Sequence, residues 1–215
     1  MKIQFPPVEE ADEYGLLAAG GDLRVETLRT AYRSGIFPWP IEGYPLLWFA
    51  PPQRAILPFA EFHVARSLRK LLRRHPFEIR IDSNFERVIH TCAAPRADNE
   101  GTWITDEMIA GYTRLHRAGD AHSVEAYHDG ELVGGLYGVA YGAYFCGESM
   151  FFTMSGASKV ALVHLVEHLR ARGATWLDTQ MMTPLFAGCG AREVPRAEFM
   201  AMLGQALQQP VRLFD

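Results

Sequence analysis

The hydrophobic and polar positions of this chain follow two different regimes. Up to about Phe59 the pattern is broken repeatedly by Gly15, Gly20, Gly21, Gly43 and by Pro38, Pro40, Pro45, Pro51, Pro52 and Pro58. Within that stretch only Val25 to Ser34 reads as a helix, stopped at Gly35 by the usual C-terminal glycine. From Phe77 onward the periodicities become regular. Glu78 to Asp82 alternates as a strand, Asn84 to Ala93 repeats as a helix, and Thr105 caps a helix running to Ala118 before Gly119. Ser123 to His128 and Glu131 to Val139 flank Asp129-Gly130, the dipeptide that supplies positive φ to a type I′ hairpin turn, and a third strand spans Ala143 to Gly147. Ser155 stands where it caps a helix with apolar Val160, Leu162, Val163, Leu165, Val166 and Leu169, which ends in Arg170, Arg172 and Gly173. Thr175 to Gln180 reads as a strand, Arg196 to Leu207 as a helix, and a short strand is expected to close the chain.

These elements predict an α+β protein. A small Pro/Gly-rich N-terminal domain, residues 1–59, precedes residues 60–215, whose order of strand, two helices, three strands, helix, strand, helix and short strand is similar to that of the acetyl-CoA-dependent N-acetyltransferases. The expectation is an acetyltransferase-like (GNAT-type) domain with a mixed, largely antiparallel sheet flanked by helices. Topology does not fix chemistry. Coenzyme A enzymes of that fold carry a Gly-rich, Arg-containing loop before the main helix, whose backbone N–H groups cradle the pyrophosphate. Here Phe151-Phe152-Thr153-Met154-Ser155-Gly156 has no Arg and one Gly, which disfavours coenzyme A as the donor.

Composition narrows the class. The chain has 215 residues, 48% hydrophobic and 21% charged, as expected for a globular protein with one large core or one core plus a small appended domain. Its start lacks the apolar run of a secretory signal and no segment reaches the roughly 18 apolar residues of a membrane span, so a cytoplasmic location is expected. Cys92, Cys146 and Cys189 are odd in number and far apart, and read as buried free thiols rather than a disulfide framework or zinc site. A net charge of -4 argues against a general polyanion binder. The segment Arg66 to Arg74 nevertheless places Arg66, Arg69, Lys70, Arg73 and Arg74 around Leu68, Leu71 and Leu72 at helical spacing. Two readings stand open: a solvated helix face, or a contact with a nucleic-acid phosphate backbone.

The candidate chemistry lies in two carboxylates at strand positions, Glu148 and Asp178, where burial without a partner would cost several kcal/mol. Asp178 and Gln180 share one face of a strand. Ser149 and Ser158 have no His or Asp beside them of the triad type, so no covalent nucleophile is indicated. His116, His122 and Glu125 form no metal pattern and read as structural.

Several strings go further. Gly15-Leu16-Leu17-Ala18-Ala19-Gly20-Gly21-Asp22-Leu23, Gly35-Ile36-Phe37-Pro38-Trp39, Gly101-Thr102-Trp103-Ile104-Thr105, Ala121-His122-Ser123-Val124-Glu125, Leu132-Val133-Gly134-Gly135-Leu136-Tyr137-Gly138 and Phe145-Cys146-Gly147-Glu148-Ser149-Met150-Phe151 occur in this order. With them the chain resembles the leucyl/phenylalanyl-tRNA–protein transferases from about Phe5 to Phe199. The resemblance implies an aminoacyltransferase of the N-end-rule degradation pathway. Such an enzyme moves leucine or phenylalanine from its tRNA ester to the α-amine of proteins beginning with Arg or Lys. It also implies Glu148, Asp178 and Gln180 as site residues, an apolar donor pocket, and Trp39 and Trp103 near the terminal adenosine of the tRNA.

Each implied role has a physical counterpart. The ester is already activated, so direct aminolysis suffices; holding amine and ester together supplies effective molarities of roughly 10⁵–10⁸ M, more than the roughly 10²–10⁴-fold of a general base. Asp178 and Gln180 are expected to orient the acceptor amine and help take its proton, and Glu148 to hold the donor's α-amino group or a ribose hydroxyl. Leu136, Phe145, Met150, Leu162 and Leu177 are the candidate lining of the donor side-chain pocket, with methionine expected as a weaker donor. Trp39 and Trp103 either stack on the terminal adenine or pack within the small domain, with Tyr32 and Tyr112 hydrogen-bonding nearby. The basic helix is assigned to the tRNA backbone. No cofactor or metal is expected, and the protein is expected to be a monomer. The chain departs from the family pattern at Phe49-Ala50, Ala65, Phe152 and Leu185-Phe186-Ala187-Gly188-Cys189, changes that enlarge or grease the neighbourhood of the pocket. Two alternatives from other classes are a small-molecule N-acetyltransferase using coenzyme A and a non-catalytic tRNA-binding module.

Overall fold

The computed structural model describes residues 4–74, 76–94 and 103–214; Gly101 and Thr102 of the strings above lie outside the described residues. The protein is α+β, with a three-stranded and a seven-stranded sheet. After a 3-10 turn at Val8–Glu10 come β1 (Leu16–Ala19), α1 (Val25–Arg33), β2 (Phe37–Trp39) and β3 (Leu47–Phe49), whose strands pair antiparallel in the order β1-β3-β2. Then follow β4 (Gln53–Pro58), α2 (Arg66–Arg74), β5 (Glu78–Ile81), α3 (Phe85–Ala93), α4 (Asp106–Arg117), β6 (Ala121–His128), β7 (Glu131–Tyr141) and β8 (Tyr144–Phe152). The chain ends with α5 (Ala157–Ala171), β9 (Trp176–Gln180), α6 (Pro184–Gly188), β10 (Arg192–Pro195) and α7 (Arg196–Gln208). The large sheet has the order β10-β4-β9-β8-β7-β6-β5 and is antiparallel throughout except where β8 meets β9. Among the described residues no helix is long and apolar enough to cross a membrane.

Local signals account for many of the element ends. Asn84 accepts a hydrogen bond from the Arg87 backbone and Thr105 from Met108, as N-caps do. Asp129 and Gly130 have φ of 49° and 82°, and His128 pairs with Glu131 across a two-residue turn. Ser155 does not cap α5. The N-cap is Gly156, at φ 85°, with no side-chain cap, and a Cβ there would lie 2.5 Å from Leu71 of α2. The left-handed φ at this position is what favours glycine there.

Two strands escape the periodicity. β4 falls inside residues 1–59, yet it pairs with β10 and β9 within the large sheet. Covered on both faces, it has no alternation to detect, and the prolines at 51, 52 and 58 disguise it as a loop. Among the described residues no strand follows the last helix, contrary to the expectation; β10 precedes α7 instead. It is a short edge strand in which Val194 alone is buried.

The sheet separates two cores. On one face α5 packs Leu162, Leu165, Val166 and Leu169 against Leu57, Val124, Leu136, Phe145 and Leu177. On the other, α3, α4, α7 and the small sheet enclose Tyr137, Tyr144, Cys146 and Ile56 together with Phe37, Trp48 and Phe199. The histidine and glutamate read as structural are so placed: His122 meets Asp82 at 2.7 Å, and Glu125 accepts from Ser123 Oγ at 2.6 Å. Cys92 and Cys146 are buried, as expected, whereas Cys189 is half-buried at the C-terminal end of α6.

Candidate active site

The chemistry gathers where β8 and β9 meet. The two strands run parallel and are registered through one residue pair, Cys146 and Asp178. Gly138 opposes Gly147 and Tyr137 opposes Ser149, so Glu148 is the extra residue of a β-bulge in the middle of β8, which runs on past the Gly147 at which the pattern ends the third strand. Gly138 is required there, because a Cβ would lie 2.2 Å from the Cys146 carbonyl oxygen. The inserted residue shifts alternation by one. Phe145 and Met150, of opposite parity in the sequence, therefore both belong to the α5 face.

Glu148 is held from beneath by buried tyrosines. Tyr112 Oη donates to its Oε2 at 3.1 Å, and Tyr32 and Tyr112 are hydrogen-bonded through their hydroxyls. Gln180 Nε2 donates to Oε1 at 2.9 Å, and Cys146 Sγ lies 3.5 Å from that oxygen. Burial pushes the Glu148 carboxyl up to about 7, against the pull of hydrogen bonds from Tyr112 and Cys146. Such a group exchanges its proton near neutrality.

Asp178 is solved differently. It is fully buried, and Arg54 of β4, 1% exposed, grips it with Nε to Oδ1 at 2.9 Å and Nη2 to Oδ2 at 2.8 Å. Tyr144 Oη donates to Oδ2 at 2.6 Å, and the Gln180 backbone N–H donates to Oδ1 at 2.8 Å. Burial lowers the Arg54 pKa, but the Asp178 carboxylate beside it overcomes this and holds it above its ordinary value. Asp178 therefore stands behind the site, and its expected direct contact with the acceptor amine is not what the structure places there. Gln180, two residues on, faces Glu148, its backbone having left the extended conformation at φ 61°.

A cavity of about 430 Å³ opens beyond the Cys146–Asp178 contact. Of the expected donor-pocket residues, Leu136, Met150, Leu162 and Leu177 line it, together with Glu148 and Gln180. Phe145 does not. It lies on the closed side of the strand contact, its ring 5.6 Å from that of Phe214 in the core beneath α5. Trp39 and Trp103 both line the cavity and stack on each other, with ring centres 5.0 Å apart and planes 15° apart. Tyr32 and Tyr112, expected near the terminal adenosine, are wholly buried and do not line the cavity; their hydroxyls serve Glu148 instead. The five basic residues of α2 lie exposed on a helix with no buried residue, and among the described residues none of them forms an ion pair.

Sequence reasoning missed Arg54, whose signal was a single charge inside the run Ala55-Ile56-Leu57 that follows it. It also missed Leu165, Thr179, Met181 and Thr183 as wall residues. Leu185 and Phe186, singled out as a departure from the family pattern, do line the cavity. Thr183 caps α6 by accepting from the Phe186 N–H at 3.3 Å and Pro184 occupies the first turn, which turns this short helix over the cavity wall. Phe152, another departure, points away at 62% exposure. Among the described residues no group of three or more His, Cys, Asp or Glu is arranged to hold a metal ion.

Comparison with known proteins decides the family. A family model described as leucyl/phenylalanyl-tRNA protein transferase matches residues 56–204, and that of the same family's N-terminal domain matches residues 21–52. The chain belongs to this family. A leucyl/phenylalanyl-tRNA–protein transferase of Chromohalobacter salexigens is 54% identical over 98% of this chain and 83% of its own length. Those of Chromobacterium violaceum and Pseudomonas entomophila are 51% and 52% identical, covering 98% and 97% of this chain and 92% and 93% of theirs. As a member of this family, the chain is an aminoacyltransferase. Among solved structures, L-PGS from Bacillus licheniformis aligns with 68% of this chain and 48% of its own at 12% identity and a TM-score of 0.42. That likeness is too distant to bear on the site.

Proposed function

We propose that this aminoacyltransferase takes leucine or phenylalanine from its tRNA ester and joins it to the N-terminal α-amine of proteins that begin with Arg or Lys, which marks them for N-end-rule degradation. Methionine is a weaker donor. The observation that carries this reading is the apolar cavity with the hydrogen-bonded Glu148–Gln180 pair in its wall and two half-buried tryptophans beside it. The cavity takes the donor side chain; burying a leucine or phenylalanine side chain gains about 1.5–3 kcal/mol, whereas a charged donor loses more than that. Trp39 and Trp103 offer a flat apolar face to the terminal adenine, worth about 1–3 kcal/mol per stacked base. The exposed guanidinium and ammonium groups of α2 neutralise phosphates farther along the tRNA.

The reaction is direct aminolysis. The acceptor nitrogen attacks the ester carbonyl carbon, the new C–N bond forms, and the bond from that carbon to the ribose oxygen breaks. The amine's proton passes to the Glu148 carboxylate, whose pKa of about 7 suits it to accept and then return a proton, and the departing ribose oxygen receives it. Gln180 orients Glu148, and Asp178 supports Gln180 from behind. The test is a transfer assay with labelled Leu-tRNA and Phe-tRNA against peptides beginning with Arg, Lys or Asp. Transfer to the Arg and Lys peptides alone is expected. Binding of tRNA without transfer reduces the chain to a tRNA-binding module.

A further inference from the structure

We infer that Arg54 is a positioning residue for the transfer: its guanidinium fixes Asp178, Asp178 fixes the backbone of Gln180, and Gln180 sets the orientation of Glu148. The inference rests on the transferase reading above and adds to it a residue from a different part of the chain.

A carboxylate offers about four lone-pair sites. All those of Asp178 are used, by Arg54 Nε and the Gln180 N–H on Oδ1, and by Arg54 Nη2 and Tyr144 Oη on Oδ2. Asp178 has no lone pair left for a substrate proton, so what it contributes is geometry. Gln180 needs that geometry, because its φ of 61° lies in the left-handed region, which a non-glycine residue keeps only where its surroundings enforce it. The bond from its N–H to Asp178 is part of the enforcement. The same turn aims Nε2 at Glu148 Oε1 and, at 3.3 Å, at Cys146 Sγ.

The guanidinium itself cannot swing. Its central carbon lies 4.6 Å from the ring centre of Phe37 in β2 and 4.7 Å from that of Phe199 in α7. The small sheet and the last long helix thus clamp a planar fork, and the fork presents both carboxylate oxygens in one plane. A lysine supplies the charge but neither the second donor direction nor the stacking plane.

The test is R54K, which keeps Asp178 neutralised. Its expected signature is a kcat lower by roughly tenfold to a hundredfold, as for a small misplacement of reacting groups, with KM for aminoacyl-tRNA within about twofold of wild type. An unchanged kcat, or a change confined to KM, overturns the inference. In a Q180A background R54K should lower kcat no further; additive losses also overturn it, since they place Arg54 on an independent path. A readout that needs no activity is hydrogen exchange at the Gln180 backbone amide, which should speed up in R54K relative to its neighbours, and unaltered exchange counts against the inference. Should R54K fail to fold, the apolar pair R54M/D178L takes its place, because matched hydrophobic replacement of a buried ion pair commonly preserves folding. It should melt near wild type yet transfer no faster than Q180A; a wild-type rate overturns the inference. A wild-type chain that transfers nothing defeats the transferase reading instead, and is measured first.

Discussion

The surroundings of Glu148 and of Asp178 meet at one strand contact and neutralise their carboxylates by opposite means. Asp178 is matched by a fixed guanidinium, and every oxygen lone pair is spent on a buried donor. Among the described residues no cation pairs with Glu148; tyrosine, thiol and amide groups surround it, and burial brings its proton affinity to neutrality. A carboxylate whose oxygens are all engaged by fixed donors can only hold its neighbours in place, whereas Glu148, pushed up to about 7 by burial, can bind and release a proton. The contrast assigns support to one and proton transfer to the other, although strand position alone made them look equivalent.

The largest effect that tests this contrast is on stability. Asp178→Ala leaves the Arg54 guanidinium buried without its partner and should cost about 3–5 kcal/mol, read by chemical denaturation. The strand pattern alone predicts lost transfer with an unchanged melt; a melt at the wild-type value would restore that picture and remove the distinction between the two sites. Next is Glu148→Gln, which keeps the shape and should lower kcat/KM by roughly 10²-fold or more, about 2.7 kcal/mol, with little loss of melting temperature.

The pH dependence sharpens the same point. The carboxylate form accepts the proton, so kcat/KM of the wild type should rise with pH through about 7 and level off above, while Glu148→Gln loses that limb. Stability runs the other way. The folded pKa of about 7 lies above the ordinary 4.5, so the native state binds the extra proton; the contribution of Glu148 to stability is full below about 4.5 and is lost as pH rises through about 7. Denaturation at acid and alkaline pH should show this slope in the wild type and not in Glu148→Gln.

Smaller effects lie farther from the two carboxylates. Trp103→Ala should weaken aminoacyl-tRNA binding by about 1–3 kcal/mol with the Glu148 pH limb retained. Replacing Arg69 and Arg73 by Gln should flatten the dependence of log affinity on log salt by roughly 0.7–0.9 for each phosphate that is no longer neutralised; an unchanged slope makes α2 a solvated face and nothing more. Asn84→Ala removes an N-cap and should cost about 1 kcal/mol of stability while leaving transfer untouched, a control for the activity losses above.

Much of this molecule was decided within short windows of sequence. The helices at 25–33, 85–93 and 106–117, the Asp129-Gly130 hairpin and the apolar stripe of α5 follow from backbone periodicity, caps and turn chemistry, which act over a few residues and need no distant partner. The strings shared with the family, each of them local, contain Glu148, Trp39 and Trp103, which line the cavity. Tertiary structure alone decided the rest. The bulge that turns Glu148 inward exists only against Gly138 of the neighbouring strand, β4 and β10 become strands only by pairing with one another and β9, and Phe145 packs against Phe214 in the core instead of lining the cavity. Above all, Arg54 and Asp178 are 124 residues apart, and whether a buried charge is paired depends on what packs against it, which no local pattern records.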